Sequence, residues 1–209
     1  MPEVLERLFQ RYPELISCHA SILESARLME QSYRSGGKML LCGNGGSAAD
    51  CEHMVGELMK GFMSKRPLPE EERQKLIDSY GEQGRYLADH LQGALPAISL
   101  VSHTALQTAF ANDVAADLVF AQQVYGYGAQ GDVLVGFSTS GNSMNVIRAL
   151  QVAKARGLYT IGFTGSSGGE MNTYCDAIIR VPYQATPDIQ ERHLPIYHAL
   201  CIMLEDAFF

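Results

Sequence analysis

The chain has 209 residues, 46% of them apolar, enough to bury one sizeable core in a single domain. A formal charge of −7 without any Lys/Arg stripe excludes a nucleic-acid binder, and no apolar run approaches membrane-spanning length. The N-terminus lacks a signal-peptide pattern. Cys18, Cys42, Cys51, Cys175 and Cys201 have no CxxC or CxxH spacing and read as reduced thiols of a cytoplasmic protein.

Residues 2–35 carry apolar positions at helical spacing (Leu5, Leu8, Phe9, Leu15, Ile16, Ile22, Leu23, Ala26, Leu28), and Gly36 and Gly37 end the pattern. A long amphipathic helix of this kind has no evident core position in one subunit, which predicts contact with another. Five apolar runs follow: Lys38–Cys42, Pro96–Val101, Asp132–Ser138, Leu158–Phe163 and Ala177–Val181. Each is apolar nearly throughout, as strands covered on both faces are. Helical patterns alternate with them over Ser47–Gly61, Thr104–Gly126 with a break, Ser143–Arg156 and Asp188–Phe209. The alternation predicts an α/β fold, a three-layer α/β/α sandwich around a five-stranded parallel sheet. Leu68–Ala94 interrupts the rhythm and reads as one or two surface helices split near Gly81–Gly84, opened by the acidic run after Pro69. A solvated decoration, a lid and a subunit contact are all consistent with it.

In such sheets ligands sit where strands run out into helix N-termini. Two junctions here have anion-binding chemistry: Gly43-Asn44-Gly45-Gly46-Ser47 and Ser138-Thr139-Ser140-Gly141-Asn142-Ser143. Glycines let backbone N–H groups close on an anion, and the helix dipole favours negative charge. The first loop alone also reads as a tight turn with an N-cap. The second holds four hydroxyls in six residues, more than one cap needs, and suits a phosphate monoester. Neither is a Walker motif, which excludes a nucleoside-triphosphate hydrolase, and the first is not GxGxxG.

Behind the first loop, Asp50, His53 and Glu57 share one helix face at steps of three and four. Asp50 also fits as a dipole partner, and His53 with Glu57 as a solvated pair. The buried character of the flanking Met54, Val55, Leu58 and Met59 argues for a site. The last helix, with Thr186 as expected N-cap and Pro187 at its first position, offers Gln190 and His198 on one face; Pro195 should kink it. His193 falls on a neighbouring face. His53, Glu57, Gln190 and His198 suit either a divalent metal or an acid–base pair, and spacing does not choose between them.

The stretches CGNGGS, His53-x-x-x-Glu57, RP followed by PAISL, Ala111-Asn112-Asp113, GDVLVGFSTSGNS, FTG and IQERH together resemble the SIS (sugar isomerase) domain family, and within it the phosphoheptose isomerases. The resemblance spans all but Leu68–Ala94. It implies one flavodoxin-like SIS domain over 1–209, with 1–35 as an oligomerisation helix and 68–94 as an insertion. It also implies conversion of sedoheptulose 7-phosphate to glycero-manno-heptose 7-phosphate by a cytoplasmic homotetramer with sites at subunit interfaces. By matching position, Asn44, Gly45, Gly46, Asn112 and Asp113 would touch the sugar, and Ser138, Thr139, Ser140 and Ser143 the phosphate. His53, Glu57, Gln190 and His198 match the family's zinc ligands, and Glu57 and His198 its acid–base residues; no nucleotide cofactor is implied. The chain departs from the pattern at Gly61, where the family usually has arginine, at Pro187, where it has aspartate, and in the insertion. Lys60 stands beside Gly61, but one residue rotates it about 100° around the helix. The competing reading is a non-catalytic SIS protein, either a phosphosugar-binding regulator or a partner of the replication initiator DnaA. In the DnaA partner the positions of Glu57 and His198 no longer hold acid and imidazole.

Overall fold

The computed structural model describes residues 2–209. The N-terminal stretch is helical but bent into α1 (Glu3–Arg11), a 3-10 segment (Pro13–Cys18) and α2 (His19–Arg34). Pro13 causes the break: proline disfavours helical backbone in the residue before it, and Tyr12 turns out to φ −133°. The apolar stripe does have a core position within the chain. Leu5, Leu8, Leu15, Ile22 and Met29 are buried in one cluster with the sheet and the last helix, while Ile16 stays exposed.

The rest of the chain runs β1 (Met39–Cys42), α3 (Gly46–Met59), α4 (Glu70–Tyr80), α5 (Glu82–His90), β2 (Ala97–Ser99), α6 (Thr104–Asp113), α7 (Val119–Tyr127), β3 (Val133–Phe137), α8 (Met144–Ala155), β4 (Tyr159–Thr164), β5 (Ala177–Arg180) and α9 (Thr186–Phe208). Strand order is β2-β1-β3-β4-β5, all parallel. Successive residues of a strand face opposite ways, and both faces are covered. Met39 and Leu41 enter the core shared with α2, α3 and α9, whereas Leu40 and Cys42 enter the one shared with α7 and α8. The chain leaves β1 for β2 on one side and returns to β3 on the other, so the order reverses between β1 and β3. Cys42 pairs with Gly136 there, and the two anion-type loops leave the sheet side by side at this switch point.

The insertion forms a helical hairpin. Gly81, at φ +59°, makes the corner, and Gly84 lets the helices close because a Cβ there would strike the Leu76 carbonyl. No residue of α4 is buried. The hairpin's base is tied by the antiparallel bridge Pro67–Gln92 and by the Gly93 N–H donating to the Arg66 carbonyl. Among the described residues no helix is long and apolar enough to cross a membrane, and the five cysteines are unpaired.

Candidate active site

α3 starts from Gly45, whose φ of +58° no L-residue adopts comfortably, and no side chain caps it. Asn44, Gly45 and Gly46 are exposed, and the Ser47 side chain is tucked beneath them. Asn44 and Asn145 exchange two amide hydrogen bonds of 2.9 Å, which join the glycine loop to the first turn of α8. Asn145 also accepts the Val146 N–H at 3.0 Å.

The serine loop holds itself open from within. Ser138 and Ser143 hydroxyls meet at 2.9 Å, and Ser140 Oγ accepts the Asn142 N–H at 3.1 Å. Thr139, Ser140 and Asn142 line a cavity of about 420 Å³ with Ser166, Ser167, Tyr183, Gln184 and Ile189. No cation lines it, so an anion there would be held by hydroxyls and backbone dipoles. Ser166 and Ser167 were not among the expected residues. The signal that finds them is the GSSGG run after β4, a third glycine–serine junction at the same sheet edge.

Two turns into α3, His53 meets α9. Its Nε2 is 3.3 Å from Glu57 Oε1 and 3.5 Å from His198 Nε2, so imidazole, carboxylate and imidazole converge. Burial and the facing His53 press the His198 pKa down, against the pull of Glu57. Lys60 Nζ donates to Glu57 Oε2 at 3.1 Å. Lys60 lies three residues after Glu57, the spacing of side-chain neighbours on a helix, although α3 ends at Met59 and Lys60 itself is extended (φ −143°, ψ 172°). Asp50 and His53 are joined by a residue not anticipated from sequence. The buried Tyr197 hydroxyl lies 3.2 Å from Asp50 Oδ1 and 3.0 Å from His53 Nδ1. Burial raises the Asp50 pKa, partly offset by that hydrogen bond, and burial followed by the Asp50 charge raises the Tyr197 pKa.

Gln190 stands against the glycine loop, where a Cβ on Gly46 would fall 2.7 Å from its Nε2. His193 is fully buried; its Nε2 donates to the Thr164 carbonyl at 3.3 Å, Nδ1 has no partner, and burial pushes its pKa down to about 4. Asn112 and Asp113 sit at the exposed end of α6, Asn112 donating to Asp113 at 2.8 Å. Thr186 is the first residue of α9 rather than its cap, which is Ala185.

Two contacts of the donor set have the spacing of a divalent metal site. Ligand atoms about 2.0–2.1 Å from a tetrahedral zinc are roughly 3.3 Å apart, close to the two His53 contacts. Among the described residues no three His, Cys, Asp or Glu side chains form a closed ligand group.

The far end of α3 is locked by another unanticipated residue. Arg66, 1% exposed and at φ +44°, donates to the carbonyls of Glu57 and Leu58 and pairs with buried Glu205 at 2.6 Å. Glu205 also accepts the N–H groups of Phe62, Met63 and Ser64. Burial alone would raise its pKa; these N–H groups and Arg66 outweigh burial and hold it low.

Comparison with known proteins places this arrangement. The SIS domain sequence profile matches residues 7–76 and 87–165. The phosphoheptose isomerase of Rhodospirillum rubrum is 41% identical over 190 residues, covering 91% of this chain and 87% of the relative. Two solved structures share the fold along nearly the whole length. The phosphoheptose isomerase GmhA from Neisseria gonorrhoeae superposes with TM-score 0.72 at 33% identity, covering 97% of this chain and 98% of the other. A phosphoheptose isomerase from Francisella tularensis gives 0.75 at 28% identity, with coverage of 97% and 94%. The chain belongs to the SIS domain family and, within it, to the phosphoheptose isomerases.

Proposed function

We propose that this phosphosugar isomerase interconverts sedoheptulose 7-phosphate and D-glycero-D-manno-heptose 7-phosphate through an enediol. The aldose–ketose isomerase class follows from the family, and the seven-carbon substrate is the finer reading, supported by the name of the R. rubrum relative. The observation that carries it is the convergence of His53, Glu57 and His198 beside two anion-type loops at the switch point. Ser138, Thr139, Ser140 and Ser143 take the phosphate. Asn44, Gly45, Gly46, Asn112, Asp113 and Gln190 take the sugar hydroxyls. Glu57 removes a proton from C1 of the ketose and returns it to C2. His198, its pKa lowered by burial and the facing His53, carries the hydroxyl proton between O2 and O1. His53, Glu57, His198 and Gln190 would hold a divalent ion such as zinc, which supplies polarisation of the substrate oxygens.

A homotetramer with sites at its interfaces completes this reading. It is supported by α6, which carries Asn112 and Asp113, buries no residue within the chain, and leaves Leu106 and the following Val114 exposed. Light scattering of the purified protein checks it, and a stable monomer at micromolar concentration contradicts it. For the reaction, the protein is incubated with sedoheptulose 7-phosphate and the aldose is followed by NMR. Absence of heptose 7-phosphate both with and without added zinc overturns the substrate assignment.

A further inference from the structure

We propose that Tyr197, backed by Asp50, is a positioning residue that fixes the His53 imidazole as its Nδ1–H tautomer and leaves Nε2 bare toward Glu57 and His198. Its purpose rests on the isomerase reading; its measurement does not.

The Tyr197 hydroxyl stands between two groups, 3.2 Å from Asp50 Oδ1 and 3.0 Å from His53 Nδ1. A phenol has one proton to donate and lone pairs with which to accept. A carboxylate only accepts, so the phenol proton goes to Asp50. The contact to His53 is then made only if Nδ1 carries a proton and donates it to the phenol oxygen. A neutral imidazole with Nδ1 protonated has its lone pair on Nε2. That atom points at Glu57 Oε1, 3.3 Å away, and at His198 Nε2, 3.5 Å away.

The tautomer decides what this face can do. With Nε2 protonated, His53 would donate to Glu57, making a closed histidine–carboxylate pair. With Nε2 bare, lone pairs from His53 and Glu57 point into one volume beside His198, which favours a divalent cation or a proton shared with substrate. Water does not make this choice, because a solvated histidine favours Nε2–H and the His53 side chain is 43% exposed. Tyr197 can impose the opposite form because it is immobile: it is fully buried, with edge contacts to the rings of Phe137, His53 and His198. Asp50 is anchored on the same helix as His53, one turn earlier, so the three groups keep a fixed spacing.

The test reads the tautomer directly. Zinc-free protein carrying 15N-histidine is examined by long-range 1H–15N correlation at mildly alkaline pH, with His53→Gln identifying the His53 signals. The expected wild-type pattern is a protonated Nδ1 and a bare Nε2. Tyr197→Phe removes the hydroxyl and should return His53 to the solvated preference, with zinc affinity, measured with the metal alone, falling ~10–100-fold. Asp50→Asn leaves the Tyr197 packing intact and should loosen the tautomer in the same direction, so the test stands if Tyr197→Phe does not fold. Nε2–H in the wild type, Nδ1–H retained in both variants, or unchanged zinc affinity in folded Tyr197→Phe each overturn the proposal. An inactive protein with Nδ1–H at His53 would sink the substrate assignment alone, whereas an active one with Nε2–H would sink this inference alone.

Discussion

The two ends of α3 are finished in opposite ways. Its N-terminus leaves Gly45 without a capping side chain, among exposed residues. Its C-terminus is closed by a buried guanidinium on the carbonyls of Glu57 and Leu58, with Leu95 N–H adding a second donor to Leu58. The open end, where Ser47 and Ala48 N–H groups turn back to the Asn44 and Gly45 carbonyls, keeps the positive end of the helix dipole accessible to a ligand. The closed end spends a buried ion pair on holding the last turn, which carries Glu57, against α9. In the proposed reaction this would fix the reacting carboxylate while leaving the loop open to substrate, as a site needs when misplacement by about 1 Å costs rate.

Glu57 sits at the closed end, and its replacement gives the largest effect. Glu57→Gln keeps the shape and should lower turnover by ~10²–10⁴-fold. Bound zinc near the wild-type level would identify Glu57 as a base, and its loss with partial rescue by excess zinc would identify a ligand. Full activity would remove α3 from the chemistry altogether. Arg66→Met tests the closed end. It strands Glu205 as a buried unpaired charge and should cost about 3–5 kcal/mol in urea unfolding. An unchanged midpoint would show that the lock holds nothing.

A separate contact of α9 has a pH dependence. His193 has its pKa pushed from 6.5 to about 4, so between these values the unfolded chain binds the proton that the folded one refuses. Its contribution is intact above pH 6.5 and is lost as pH falls toward 4, up to roughly 3 kcal/mol. Unfolding curves across that window check it, and His193→Gln should flatten the slope. The smallest effect belongs to the open loops. Ser140→Ala should weaken sugar-phosphate binding by about 1–3 kcal/mol with little change in stability. A variant that binds as the wild type does takes Ser140 out of the anion site.

What the sequence discloses depends on how local its cause is. The strands were legible because burial on both faces leaves apolar runs such as Val133–Phe137. The serine loop was legible because four hydroxyls in six residues are visible without a fold. The hairpin was legible in its two helices and in its corner near Gly81. Tyr197 and Arg66 were not, because each acquires meaning from partners 139–147 positions away. The Lys60–Glu57 contact, by contrast, has a local cause, because the two residues lie three apart at helix-neighbour spacing.

Arg66 and Glu205 are 139 residues apart. At about 5–20 residues per second of synthesis, the acid that closes α3 emerges on the order of 10 s after the arginine it meets. In that interval Arg66 and the Leu95 N–H can already reach the carbonyls of α3, but Arg66 still lacks the carboxylate that pins it. The turn that carries Glu57 therefore gains its last anchor, the Arg66–Glu205 pair, only when α9 docks.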